Sequence, residues 1–165
     1  MGLQLTPVTA LLALIISALR AIPAAAQHPN MSGTWVLDRA RSSLEYPKLA
    51  DLDSAVVVIR QTDARFTFFR RFLVAGTPDT ISWSLVPDGP VDTSSEGGRQ
   101  ALSRLRWAGD TLLLEIRIVA PRGEAGDTVR YRLLDHGRMF QAQERFRAPR
   151  LRYDNLWVLV RRPGS

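Results

Sequence analysis

From Gly33 onward the chain alternates short apolar and aromatic runs with clusters of turn residues. "GTWVL" opens the series at 33–37, "AVVVIRQ" follows at 55–61 and "RFTFFRRFLV" at 65–74, the last two separated by Thr62-Asp63-Ala64. "TISWSLV" (80–86) stops at Pro87-Asp88-Gly89-Pro90. "QALSRLRW" (100–107) and "TLLLEIRIVA" (111–120) flank Ala108-Gly109-Asp110, a tight hairpin signal. "TVRYRLL" (128–134) and "MFQAQERF" (139–146) flank Asp135-His136-Gly137-Arg138, and "NLWVLVRR" (155–162) is the last run. Short runs rich in β-branched and aromatic residues, bounded by such turns, predict strands. The hydrophilic stretches 91–98 and 121–127 read as loops, and 42–52 has room for one helical turn, limited by Pro47.

About nine strands joined mostly by hairpins, with no room for crossover helices, predict an all-β, antiparallel up-and-down meander. So many strands either split into two layers or close on themselves, and closure removes exposed edges. The expected architecture is therefore a barrel of about eight to ten strands.

What precedes this pattern is different. Leu5–Leu19 is a run of about 15 apolar residues, shorter than the roughly 20 needed to span a bilayer. Ala24-Ala25-Ala26 follows, the small-residue pattern of a signal-peptidase site. Residues 1–26 are thus expected to be a signal peptide and 27–165 the mature domain, secreted or periplasmic, with no transmembrane span after cleavage. The chain has no cysteine, so neither a lipid-anchoring cysteine, a disulfide nor a thiolate nucleophile is available. The domain must fold on burial, which an apolar content of 45% allows.

Charge adds one further feature. The sequence carries 21 Arg and one Lys (Lys48) against 16 acidic residues, a net charge of +6; loss of Arg20 with the leader leaves about +5. Such a balance is compatible with nucleic acid, but no RNA-reading motif occurs and an export leader argues against that partner. Catalytic chemistry is poorly provided for. His28 lies at the expected mature N-terminus and His136 in a hairpin turn, while Asp51 and Asp53 sit two apart before a strand, where they read as loop caps. No nucleophile elbow, zinc-protease, phosphate-loop or dinucleotide fingerprint is present. No catalytic residue, metal ligand or cofactor is expected.

The opening residues are more telling. Gly33-Thr34-Trp35 resembles the G-x-W motif that begins the first strand of lipocalins and related calycin barrels. More closely, "SGTWVLDRARS" resembles the start of a bacterial family of secreted lipocalin-like domains, in which G-T-W-x-L-D-x-x-x-S follows a signal peptide. The resemblance implies a barrel whose closed end is filled by the Trp35 indole, with Gly33 letting the backbone pass close to it. It also implies that an arginine of the last strand, Arg161 or Arg162, lies across the indole as a cation–π partner. The T-D-Y triplet of the closer lipocalins has no counterpart here; Tyr153-Asp154-Asn155 does not match it.

Period-2 alternation assigns faces to the strands. Leu112, Leu114, Ile116 and Ile118 share one face, as do Val129, Tyr131 and Leu133, and so do Phe140, Ala142, Glu144 and Phe146. A cavity and a filled core remain alternatives for this apolar interior. If it is a cavity, Phe66, Phe68, Trp83, Trp107, Tyr131, Phe140 and Glu144 are the candidate contacts for a small apolar or amphipathic ligand. Glu144 is the anomaly. An inward carboxylate needs a partner, either an interior arginine such as Arg70 or the polar head of a ligand, unless a β-bulge near Gln143 turns it outward. The opposite faces carry Arg104, Arg106, Arg117, Arg130, Arg132, Arg145 and Arg147 against Glu115. They define the second reading: a packed barrel whose basic outer plate meets an anionic envelope surface.

Overall fold

The computed structural model describes residues 28–164; the leader expected at 1–26 lies outside the described residues. Eleven strands follow one another: β1 (Gly33–Leu37), β2 (Ser43–Leu44), β3 (Leu52–Gln61), β4 (Phe66–Val74), β5 (Thr77–Leu85), β6 (Asp92–Glu96), β7 (Arg99–Ala108), β8 (Thr111–Ala120), β9 (Gly123–Leu134), β10 (Met139–Ala148) and β11 (Leu151–Arg161). Ten of them form one antiparallel path in the order β5-β4-β3-β1-β11-β10-β9-β8-β7-β6, and β2 pairs with β11 beside it. Apart from β11 lying beside β1, and β3 beside β1 across the off-path β2, neighbours on the path are successive strands of the meander. The result is an antiparallel, nearly closed barrel of ten strands. Within 42–52, besides β2, the chain forms a single 3-10 turn, Pro47–Leu49, which Pro47 initiates.

Several boundaries differ from the sequence pattern, most at β6, β9 and β11, and for one reason. β6 is polar on both faces, so alternation is silent there; it exists because Asp92–Glu96 pairs with β7 across a Gly97-Gly98 turn. β9 begins at Gly123 and β11 at Leu151, earlier than composition indicates, because their first residues are held in register by β8 and β10. Backbone pairing extends a strand through residues whose side chains carry no β signal.

The path does not close completely. Its ends, β5 and β6, are consecutive in the chain but not hydrogen-bonded to each other. At one end of this seam the Pro87-Asp88-Gly89 turn fastens β5 to β7: the Asp88 N–H donates to the Leu105 carbonyl (2.8 Å), and Asp88 Oδ1 accepts from the Trp107 N–H (3.0 Å). Toward the other end β5 is exposed over Thr77–Ser82.

The fastened end is solid. Met31, Trp35, Ile59, Phe66, Leu105, Leu112, Phe140 and Leu159 are all at most 1% exposed and form the plug. Arg161 supplies the cation, its guanidinium carbon 4.2 Å from the centre of the indole, while its Nη1 donates to the Ser32 carbonyl and its Nε to that of Gly137. Gly33 makes room for it: its φ is +146°, and a Cβ there would collide with Arg161 Nη1. The indole Nε1 donates to the Met31 carbonyl at 3.1 Å. This arrangement is the physical content of the glycine–tryptophan–arginine pattern.

Candidate ligand-binding cavity

Above the plug lies a layer of stacked rings. Trp35 meets Phe140 (5.5 Å between centroids), Phe140 meets Tyr131 (5.6 Å), and Tyr131 meets Phe68 (5.8 Å) and Trp83 (6.2 Å). Phe68 and Trp83 stack nearly parallel at 5.1 Å. This layer is the floor of a cavity of about 770 Å³. That volume falls within the range of small-molecule sites, and the interior is therefore not a filled core.

The walls are mostly apolar. β3 contributes Val57, β4 Phe68 and Phe72, β8 Leu114, Ile116 and Ile118, β9 Val129 and Tyr131, and β10 Ala142 and Phe146. Trp83, Ile81 and Thr77–Asp79 of β5 border it on the seam side, and Tyr46, Lys48 and Leu49 enclose it from the β2–β3 connection.

Of the residues picked out by sequence, Phe68, Trp83, Tyr131 and Glu144 line this space. Phe66 and Phe140 do not: both belong to the plug, packed beneath the aromatic floor. Trp107 is also elsewhere. It sits next to the β7–β8 hairpin at the plugged end, where the His28 ring stacks on it at 4.4 Å and donor–acceptor contact with the Gly109 carbonyl holds that ring. Alternation identifies the inward face but not the depth along the barrel axis, and depth separates floor from plug.

Glu144 points inward. The pairing of β10 with β9 and β11 runs without interruption through Gln143 and Glu144, so no bulge turns it out. Its partner is neither an arginine nor a ligand. Three donors from β11 hold the carboxylate: Trp157 Nε1 at 2.8 Å, Asn155 Nδ2 at 3.0 Å and the Tyr153 hydroxyl at 3.4 Å. Buried Asn155 in turn accepts at Oδ1 from the Glu45 and Tyr46 N–H groups, tying the β2–β3 connection to the same cluster.

Arg70 faces Glu144 from β4. It occupies the inward position between Phe68 and Phe72, and its guanidinium carbon lies 4.4 Å above the Trp157 ring and 4.7 Å from the Phe72 ring. Among the described residues it makes no hydrogen bond or ion pair, and its Nε is buried without a partner. Burial lowers its pKa from the ordinary value, while the negative charge of Glu144 opposes that. An arginine nevertheless stays charged.

Asp127 of β9 completes the polar group. It is inward, two positions before Val129, and its Oδ1 is buried with no hydrogen-bond partner. Burial pushes its carboxyl up to about 7, helped by Glu144 and opposed by Arg70 and the Thr128 N–H. The hydroxyls of Tyr131 and Tyr153 are pushed up as well, chiefly by burial, so both are neutral donors. Sequence reading missed Asp127 because Gly123, Gly126 and Pro121 made its surroundings read as a loop. Continuing the Tyr131–Val129 alternation back by one step would have found it. Asn155 and Trp157 were equally legible as the inward face of β11.

On the outer surface three carboxylates offset part of the basic plate. Arg106 pairs with Glu115 (3.2 Å), Arg117 with Glu124 (2.7 Å), and both Arg145 and Arg147 with Asp154. Arg132 donates to Thr111 Oγ1 at 2.7 Å. Arg104 and Arg130 alone of the seven have no such partner among the described residues.

A plugged, nearly closed antiparallel barrel enclosing an aromatic-floored cavity has the lipocalin-like architecture, and comparison with solved structures agrees. The chain is similar to a REP1-NXSQ fatty acid transporter (TM-score 0.52, 9% identity, 82% of this chain and 98% of that one). It is similar to the secretory abundant heat soluble protein 4 from Ramazzottius varieornatus (TM-score 0.54, 13% identity, 82% and 99%). Human cRBP IV aligns comparably (TM-score 0.53, 15% identity, 81% and 99%). At these identities the likeness is one of fold. No family model and no curated protein matches the chain.

Proposed function

We propose that the protein is an exported, non-catalytic carrier that encloses one amphipathic molecule, its apolar body on the aromatic floor and its polar head at Arg70. The observation that carries this reading is the Arg70 guanidinium, without a hydrogen-bond acceptor, facing a mostly apolar 770 Å³ cavity. Buried donors left without acceptors cost roughly 1–3 kcal/mol each, more when charged, and a ligand head recovers that cost. An acceptor head is required, and a carboxylate fits a guanidinium best because two parallel N–H···O bonds can form. A fatty acid is accordingly the simplest ligand class, and a structural neighbour described as a fatty acid transporter supports the choice. Export rests on the leader at 1–26, and the narrower kinship with bacterial exported domains rests on the G-T-W-V-L-D motif. The second reading, a basic plate meeting an anionic envelope surface, comes after it because Glu115, Glu124 and Asp154 offset part of the charge of its seven arginines.

Native mass spectrometry with added dodecanoate tests the reading. One dodecanoate retained per folded chain, with dodecane bound more weakly, is the expected result. A chain that retains neither at micromolar concentrations contradicts it.

A further inference from the structure

The cavity's charges do not balance in the way a simple anion receptor's would. Arg70 brings one positive charge, Glu144 one negative charge already satisfied by three donors, and Asp127 a second carboxyl with a bare, buried oxygen. The groups that act on Asp127 come from every side: Glu144 on β10, Arg70 on β4, Tyr131 on its own strand and Tyr153 on β11. β8 presents only apolar side chains to it, with Ile116 directly opposite. Farther out, Asp79 and Lys48 border the same cavity. A carboxylate ligand docked on Arg70 would add a further negative charge to the group formed by Glu144, Asp127 and Arg70, in which Arg70 is the one cation. Like charges a few ångströms apart in a poorly solvated site are not all ionised together.

We propose that Asp127 is the residue that yields, so that each acid-headed ligand enters together with one proton. The ligand arrives as its carboxylate, Asp127 takes a proton from solvent wherever it does not already hold one, and the neutral Asp127 acid then donates to the ligand head while Arg70 holds its charge. This deepens the carrier reading and rests on it. Asp127 is suited to the role because it titrates near neutrality, at about 7 in the empty cavity. The ligand's own carboxyl, with a pKa of roughly 4–5, stays ionised above pH 6. The sign follows by linkage: the bound state holds more protons than the free state above about pH 7, so affinity falls as pH rises. The carrier would load in mildly acidic surroundings and release in alkaline ones.

The test is the pH dependence of dodecanoate and dodecanol binding to the folded domain. Wild-type protein is expected to bind dodecanoate roughly 30-fold more weakly at pH 8.5 than at pH 6, following one proton per ligand. Dodecanol, which adds no charge, should vary by no more than about threefold. Asp127→Asn, whose amide donates as the protonated acid does, should bind dodecanoate equally at both pH values. Calorimetry of the wild type at pH 8 in two buffers of different ionisation enthalpy gives a readout independent of any variant, and should show about one proton taken up per dodecanoate. One-to-one binding with no proton uptake and the same affinity at both pH values overturns the coupling while leaving the carrier reading intact. Absence of dodecanoate binding at either pH overturns both.

Discussion

Glu144 shows how one half-buried, inward charge organises its surroundings. Its carboxylate receives three donors, and one of them, the Trp157 indole, also lies beneath the Arg70 guanidinium. The ring thus links cation and anion without a direct ion pair, leaving the N–H groups of Arg70 for something else. Changing Glu144 to Gln keeps the shape but puts an amide NH₂ against donors and removes the charge that offsets Arg70. Breaking a half-buried charge held by three donors in this way should cost about 1–3 kcal/mol in urea unfolding. Exposed Glu115, paired with Arg106 on the outer face, should cost less than about 1 kcal/mol when changed to Gln. Equal losses for the two variants would mean that the Glu144 cluster contributes nothing beyond a surface pair.

At the level of elements, β1 and β11 carry the most sequence-legible part of the molecule. Gly33, Trp35 and Arg161 are close enough along two paired strands that the motif specifies the contact as well as the strand. Gly33→Ala should destabilise the domain by roughly 1–3 kcal/mol, because a Cβ meets Arg161 Nη1 and the φ of +146° disfavours any side chain. Thermal unfolding would show it, together with a red-shift of the fluorescence of buried Trp35; an unchanged midpoint would detach the motif from the plug. Elsewhere legibility followed side-chain pattern. β4, β8 and β10 were readable because their inward faces are apolar. β6 was not, since Asp92, Thr93, Ser94, Ser95 and Glu96 are all exposed and only pairing with β7 makes them a strand. The same limit hid the first turns of β9, and with them Asp127.

In the molecule as a whole, closure and opening are separated along the barrel axis. The plug and the Asp88 turn seal one end, while the upper part of β5, paired only with β4, and the Tyr46–Leu49 segment bound the cavity at the other. A meander with an apolar interior was readable from alternation, but whether that interior was empty was not. Cavity volume depends on how ten strands tilt and on which aromatic rings reach the axis, quantities with no one-dimensional signature. The candidate ligand contacts divided accordingly: Phe66 and Phe140 fill the plug, whereas Phe68, Trp83 and Tyr131 roof it and face the space above. The central claim is that this space is a ligand site with its head-group anchor at Arg70. Titration of dodecanoate into wild type, Arg70→Gln and Arg104→Gln proteins at pH 6 tests it most directly. Loss of a charge-assisted contact worth about 1.5–3 kcal/mol predicts a roughly 10- to 100-fold weaker Kd for Arg70→Gln, with Arg104→Gln unchanged. Identical affinities for all three proteins would contradict the account.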